Sequence, residues 1–187
     1  NNKINNNFFV MQSLFKLLPK YDFLYYKILE YCPKAKLVFI KDKDIEYTNR
    51  FIDRLKKNKY TNKKLNQIHL AERMSQREFF QEISRCKVVI DSVGWSGGNT
   101  TMEAIYFDKP VVTLQGNNLR SNHSSAILKA INLDILVAKD YNDYVSIACK
   151  LMTDKNFYQE TINKIKNNKY KLFDKNISFY DDVKSFL

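Results

Sequence analysis

The chain has 187 residues, 44% of them hydrophobic and 14% aromatic, enough to bury one substantial core, and the length favours one domain over two. Its net charge of +11 makes phosphate-bearing partners electrostatic candidates. No apolar run approaches the roughly 20 residues that span a bilayer and the opening "NNKINNNFF" lacks a secretory layout, so a cytoplasmic protein with no membrane partner is expected.

Taken in chain order, short apolar runs alternate with longer stretches of helical spacing. "FFVM" at 8–11 reads as a strand, "YDFLYYKILEYC" at 21–32 as a helix, "KLVFI" at 36–40 as a strand and "IEYTNRFIDRLKK" at 45–57 as a helix. Strands follow at 67–71, 87–91, 110–114 and 134–138, and helices at 75–86, 100–107, 122–131 and 141–152. Pro19, Pro33 and Pro110 fall at boundaries. This alternation predicts an α/β fold, a Rossmann-like parallel sheet sandwiched by helices, with ligands at the carboxyl ends of the strands near a reversal of strand order. The predicted lobe covers residues 1–155. The remainder, 156–187, reads as a helical and then loosely aromatic tail with no partner in the alternation. The missing initial Met suggests a processed product, an incomplete gene model or a piece of something longer.

Basic residues gather at 54–64 and 163–175, where they read as solvated helix ends or connectors. With no basic stripe interleaved with aromatics, nucleic acid stays a remote alternative. Cys32, Cys86 and Cys149 are widely spaced and read as ordinary free thiols, and His69 and His123 sit in no ligand motif, so no protein-bound metal is expected.

Three of the four glycines fall in "DSVGWSGGNTTMEA" at 91–104, between a predicted strand and a predicted helix. A loop there exposes N–H groups at a helix start, where an anion is favoured, and Gly97 and Gly98 allow close approach. It is neither a P-loop nor a G-x-G-x-x-G turn. An equally physical reading is a T-x-x-E capping box from Thr100 to Glu103; spacing alone does not separate the two.

The runs "VMQSLFKLLP" at 10–19, "ERMSQREFF" at 72–80 and "VVIDSVGWSGGNTTMEAIYFDKPVVTLQGNNLRS" at 88–121 resemble, in order and spacing, the C-terminal lobe of the O-GlcNAc transferase and SPINDLY-like glycosyltransferases, across residues about 8 to 170. The resemblance implies a GT-B architecture, in which two Rossmann-like lobes enclose a nucleotide-sugar donor and this lobe holds the nucleotide. Carried over onto this chain, Lys16 matches the lysine on the donor diphosphate and is the implied catalytic residue, with Gln12 matching a neighbouring glutamine. Met74 to Gln76 match the loop that holds the base through backbone. Asn99 and Thr100, beside Gly97 and Gly98, match the phosphate-binding positions, and Glu103 an acidic contact to ribose. Gly98 stands where animal members carry histidine, and Asn122 where many relatives carry arginine.

The implied function is metal-independent transfer of a sugar, UDP-GlcNAc being the first-choice donor, to Ser or Thr hydroxyls of a protein or peptide acceptor. The same family pattern admits GDP-fucose or a UDP-hexose as donor. It also admits a nucleotide-sugar-binding module inactive alone, since no residue here reads as a general base. The implied partners are an N-terminal lobe, possibly behind helical repeats, against which the tail aromatics Phe157, Tyr158, Tyr170, Phe173, Phe179, Tyr180 and Phe186 would pack.

Overall fold

Apolar strands that are covered on both faces favour parallel pairing, and all six segments pair that way. A computed structural model describes residues 4–57 and 64–173. The strands are β1 (Asn7–Val10), β2 (Lys36–Ile40), β3 (Ile68–Ala71), β4 (Val88–Ile90), β5 (Val111–Leu114) and β6 (Val137–Ala138), in the order β3-β2-β1-β4-β5-β6. The chain winds outward from β1 to β3, then returns to lay β4 on the other side of β1, with Phe8 opposite both Leu37 and Val88. The order therefore reverses between β1 and β4.

The helices are α1 (Asp22–Tyr31), α2 (Ile45–Lys57), α3 (Gln76–Arg85), α4 (Asn99–Tyr106), α5 (His123–Ala130), α6 (Tyr141–Thr153), α7 (Lys155–Asn168) and the short α8 (Tyr170–Phe173). They flank the sheet: α6 lies over β4, β5 and β6 and packs on α1, while α4 and α5 pack on each other and on β5. Phe8, Phe9, Phe39, Phe51, Ile83 and Tyr144 are fully buried between the layers. The Phe39 ring sits 5.2 Å from Tyr25 and 5.0 Å from Phe51, joining α1, β2 and α2.

Two boundaries differ from the sequence expectation. In the run at 134–138 only Val137–Ala138 pairs, because Asp134–Leu136 close a 3-10 turn that buries Leu136 instead. In the tail, α7 packs on α6 and buries Thr161, Ile162 and Ile165, with Phe157 and Tyr158 half-buried against the same core. Tyr170 and Phe173 remain 59% and 43% exposed. Phe179, Tyr180 and Phe186 lie outside the described residues. Among the described residues no helix is long and apolar enough to cross a membrane.

Candidate functional site

Because the strand order reverses between β1 and β4, their carboxyl ends open onto one crevice, the place where α/β sheets bind ligands. β1 leads into Met11, Gln12 and a 3-10 turn at Leu14–Lys16; β4 leads into Asp91 and the glycine loop before α4. Gln12 spans the gap. Its Nε2 donates to Thr100 Oγ1 at 2.7 Å, and its Oε1 accepts from Lys16 Nζ at 3.2 Å. A buried amide thus holds a lysine ammonium beside the first turn of α4. The Lys16 ammonium also lies 5.5 Å from the Trp95 ring centre, and the Arg120 guanidinium 4.7 Å from the same ring, so one indole carries two cations at the mouth of the crevice.

α4 begins one residue earlier than the sequence pattern predicts. Gly98 is its N-cap, and Thr100, inside the first turn, cannot reach the capping geometry that a T-x-x-E box needs; its hydroxyl takes the Gln12 amide instead. The capping box forms elsewhere, from Ser75 to Glu78 at the start of α3. Both Thr101 and Met102 donate their N–H to Gly98 O. Among the described residues, no acceptor meets the amides of Asn99 and Thr100. At Gly98, just before them, an added Cβ would meet nothing within 4 Å.

Gly97 has a different reason to be glycine. A Cβ there would lie 2.5 Å from Thr100 Oγ1 and 2.7 Å from Gln12 Nε2, so the Gln12–Thr100 bridge requires its absence. Its own N–H is already used, donating to Asp91 Oδ1 at 2.8 Å. Asp91 was not singled out in the sequence, yet it anchors the loop. Its second oxygen accepts from Thr113 Oγ1 at 2.7 Å on β5, and its carbonyl accepts from the Tyr144 hydroxyl on α6. Ser124, at the start of α5, donates to Gly97 O at 2.8 Å and locks the loop from the other side. The only sequence signal for Asp91 was a carboxylate ending an apolar strand.

Burial pushes the Asp91 carboxyl up from an ordinary value of 3.8 to about 6, against the hydrogen bonds that lower it. The folded protein therefore holds this proton more tightly than the unfolded chain does. The stabilisation from Asp91 is complete below about pH 4 and lost as the pH rises through about 6. In Asp91→Asn the amide keeps both contacts, because the Thr113 hydroxyl can turn to accept. Urea unfolding of the variant between pH 4 and 7 should show a smaller decline in stability than wild type; an unchanged slope would assign that pH dependence to other groups.

A cavity of about 240 Å³ opens beside this centre, lined by Gln12, Met74, Gln76, Ile40, Asp42 and Arg73 among others. The structure thus brings the predicted residues Gln12, Met74 and Gln76 into one cleft, adjoining Lys16, Asn99 and Thr100. Asp42 and Arg73 are additions that the sequence did not single out. Glu103 is not in that cleft. It sits one turn along α4, in a hollow of about 350 Å³ with Asn99, Phe80 and Tyr106, and partial burial raises its carboxyl. Asn122 is structural: it accepts from Gly116 N and donates to Gly116 O, closing the loop before α5, while His123 is exposed. No group of three or more His, Cys, Asp or Glu side chains among the described residues could hold a metal ion.

Comparison with known proteins bears on the fold and the family. The chain is 27% identical over 145 residues, 76% of its length, to a protein named probable UDP-N-acetylglucosamine–peptide N-acetylglucosaminyltransferase SPINDLY from Arabidopsis thaliana, and 34% identical over 83 residues, 44% of its length, to the protein of that name from Oryza sativa subsp. japonica. It spans only 16% and 9% of those two relatives. In fold it matches a mutant of Thermobaculum terrenum O-GlcNAc transferase with a TM-score of 0.80 at 23% identity, covering 89% of this chain and 32% of that one. A UDP-GlcNAc 2-epimerase from Neisseria meningitidis, solved with UDP-GlcNAc, matches at a TM-score of 0.62 and 15% identity over 91% of this chain and 41% of its own. These neighbours place the lobe in the GT-B fold. Glycosyl transferase family 41 matches residues 4–181, almost the entire sequence, and the chain belongs to that family.

Proposed function

We propose that this chain is the nucleotide-binding lobe of a glycosyltransferase that moves a sugar from a nucleoside diphosphate, UDP-GlcNAc in the first instance, to Ser or Thr hydroxyls of a protein acceptor. The observation that carries this reading is the Lys16–Gln12–Thr100 chain of hydrogen bonds, which sets an ammonium beside the two unfilled amides of α4. A diphosphate seated there would meet a positive helix end and a fixed cation together. As the bond to the sugar breaks, negative charge grows on the departing diphosphate, and Lys16 is positioned to offset it without a metal. The base would then extend toward the Met74–Gln76 cleft.

That cleft is smaller than the roughly 300–1,000 Å³ of a complete ligand pocket, which favours a lobe that binds donor but needs a second lobe to close over it. In this reading the exposed Tyr170 and Phe173 pack on that lobe, which also supplies the acceptor groove and the general base. The same geometry would accept GDP-fucose or a UDP-hexose.

Titration calorimetry of the chain with UDP and with GDP, in the presence of EDTA, tests the donor site. Weak binding of at least one nucleotide, unchanged by added magnesium, is the expected result; no binding by either, or binding that requires magnesium, would overturn the assignment. Salt-sensitive binding to RNA that depends on residues 54–64 would favour a nucleic-acid role instead.

A further inference from the structure

Lys16 is half-buried, yet its ammonium has no carboxylate partner among the described residues. Its contacts are with Gln12 Oε1 at 3.2 Å and with the Trp95 and Phe15 ring centres at 5.5 and 5.9 Å. A lysine stem is flexible, and one bond to a neutral oxygen leaves the ammonium free to swing about that oxygen. The ring faces supply the other fixed points.

Trp95 is itself tightly placed. Gly94, just before it, has a φ of +86°, in the left-handed region, and an added Cβ there would lie 3.3 Å from both Leu18 Cδ1 and Tyr21 Cε2. Ser92 Oγ donates to Trp95 O, and Ser96 N donates to Arg120 O at 3.0 Å, so the backbone is tied on both sides of the indole. The ring packs edge-on with Phe15 at 5.9 Å, and Phe15 leans in turn on Tyr47 at 6.3 Å. The Arg120 guanidinium stacks on the same indole at 4.7 Å.

We infer that Trp95 is a positioning residue for Lys16: its ring face holds the ammonium beside the first turn of α4 and leaves the positive charge available to a diphosphate. A carboxylate in its place would hold the lysine at least as firmly, but would cancel the charge that the phosphates need. The negative face of an indole attracts a cation without neutralising it. Gln12 fixes one direction and Trp95 another, so the ammonium waits beside the amides of Asn99 and Thr100 rather than sampling solvent. The inference rests on the reading of the crevice as a diphosphate site; Trp95 acts through the lysine and need not touch the ligand.

Trp95 is the only tryptophan in the chain, so growth of a tryptophan auxotroph on fluorinated tryptophans alters this ring alone. Each fluorine draws charge from the ring face and loosens its hold on a cation with little change of shape. The full chain carrying tryptophan, or its mono-, di- or trifluorinated form, is titrated calorimetrically with UDP and with GDP. Affinity should fall stepwise, about three- to tenfold across the series, and the same fall should persist in Arg120→Gln. A ring that only fills space would give a flat series. In the ligand-free chain, a nuclear Overhauser contact should join the Lys16 ε-methylene, assigned by its loss in Lys16→Arg, to the indole protons. Binding with a flat or rising series, a fall that vanishes in Arg120→Gln, or absence of the Overhauser contact would each overturn the inference alone. Failure of the unfluorinated chain to bind either nucleotide would bring down the diphosphate reading and the inference with it.

Discussion

Lys16→Ala should weaken nucleoside diphosphate binding by about 1.5–3 kcal/mol, roughly ten- to over a hundredfold. The size follows from how little of the Lys16 charge is used inside the protein. Its Nζ faces a neutral amide oxygen and two aromatic rings, and among the described residues no carboxylate pairs with it. The ammonium is therefore held in place yet electrostatically uncommitted, the state in which a charge-assisted contact to phosphate gains most. The loss should appear as affinity, with far-UV circular dichroism unchanged, because Lys16 is only half-buried. Lys16→Arg is expected to recover little: the planar guanidinium is larger and needs a forked partner where the site offers a single amide oxygen. Calorimetry with UDP in which wild type and Lys16→Ala bind equally would remove Lys16 from the site.

Gly97→Ala should cost about 3 kcal/mol of stability and abolish detectable nucleotide binding, whereas Gly98→Ala should leave stability nearly unchanged. The added methyl at Gly97 would sit 2.5 Å from Thr100 Oγ1, 2.7 Å from Gln12 Nε2 and 3.0 Å from Thr101 Oγ1, and no single rotation clears all three. Either the Gln12–Thr100 bridge opens or the loop backs away from Asp91, breaking the Gly97 N–H bond to a buried carboxylate. At Gly98 the methyl meets nothing and φ is −102°, so no neighbour has to give way. Denaturant unfolding of both variants separates the roles. Equal, small losses would mean that the bridge is not a structural requirement.

Local pattern carried much of the fold. The apolar run 36–40 and the helix 45–57 have the ends that the sequence predicts, because β-branched and aromatic residues bounded by Pro or charge leave little alternative. The glycine loop was legible as a strand-to-helix turn, but its spacing left an anion site and a capping box equally open, and only the family resemblance separated them. What composition and spacing could not supply was the partner of each polar group. Gln12 meets Thr100 across 88 residues, and Asp91 meets Thr113 across 22 and Tyr144 across 53. Those pairings exist only once the strand order is fixed, and the strand order itself, with β4 crossing back to β1, leaves no local trace. The start of α4 slipped by one residue for a related cause, since the hydroxyl that looked like its cap was already held by a side chain on a distant strand end.

Trp95 is the only tryptophan in the chain, and it lies between the two cations at the crevice mouth. Its indole emission is thus a built-in optical reporter of that one place, free of background from any other tryptophan. Charges close to an excited indole shift its emission, so a ligand that draws Lys16 or Arg120 off the ring will announce itself as a change in colour and intensity under a fluorimeter, with no label attached.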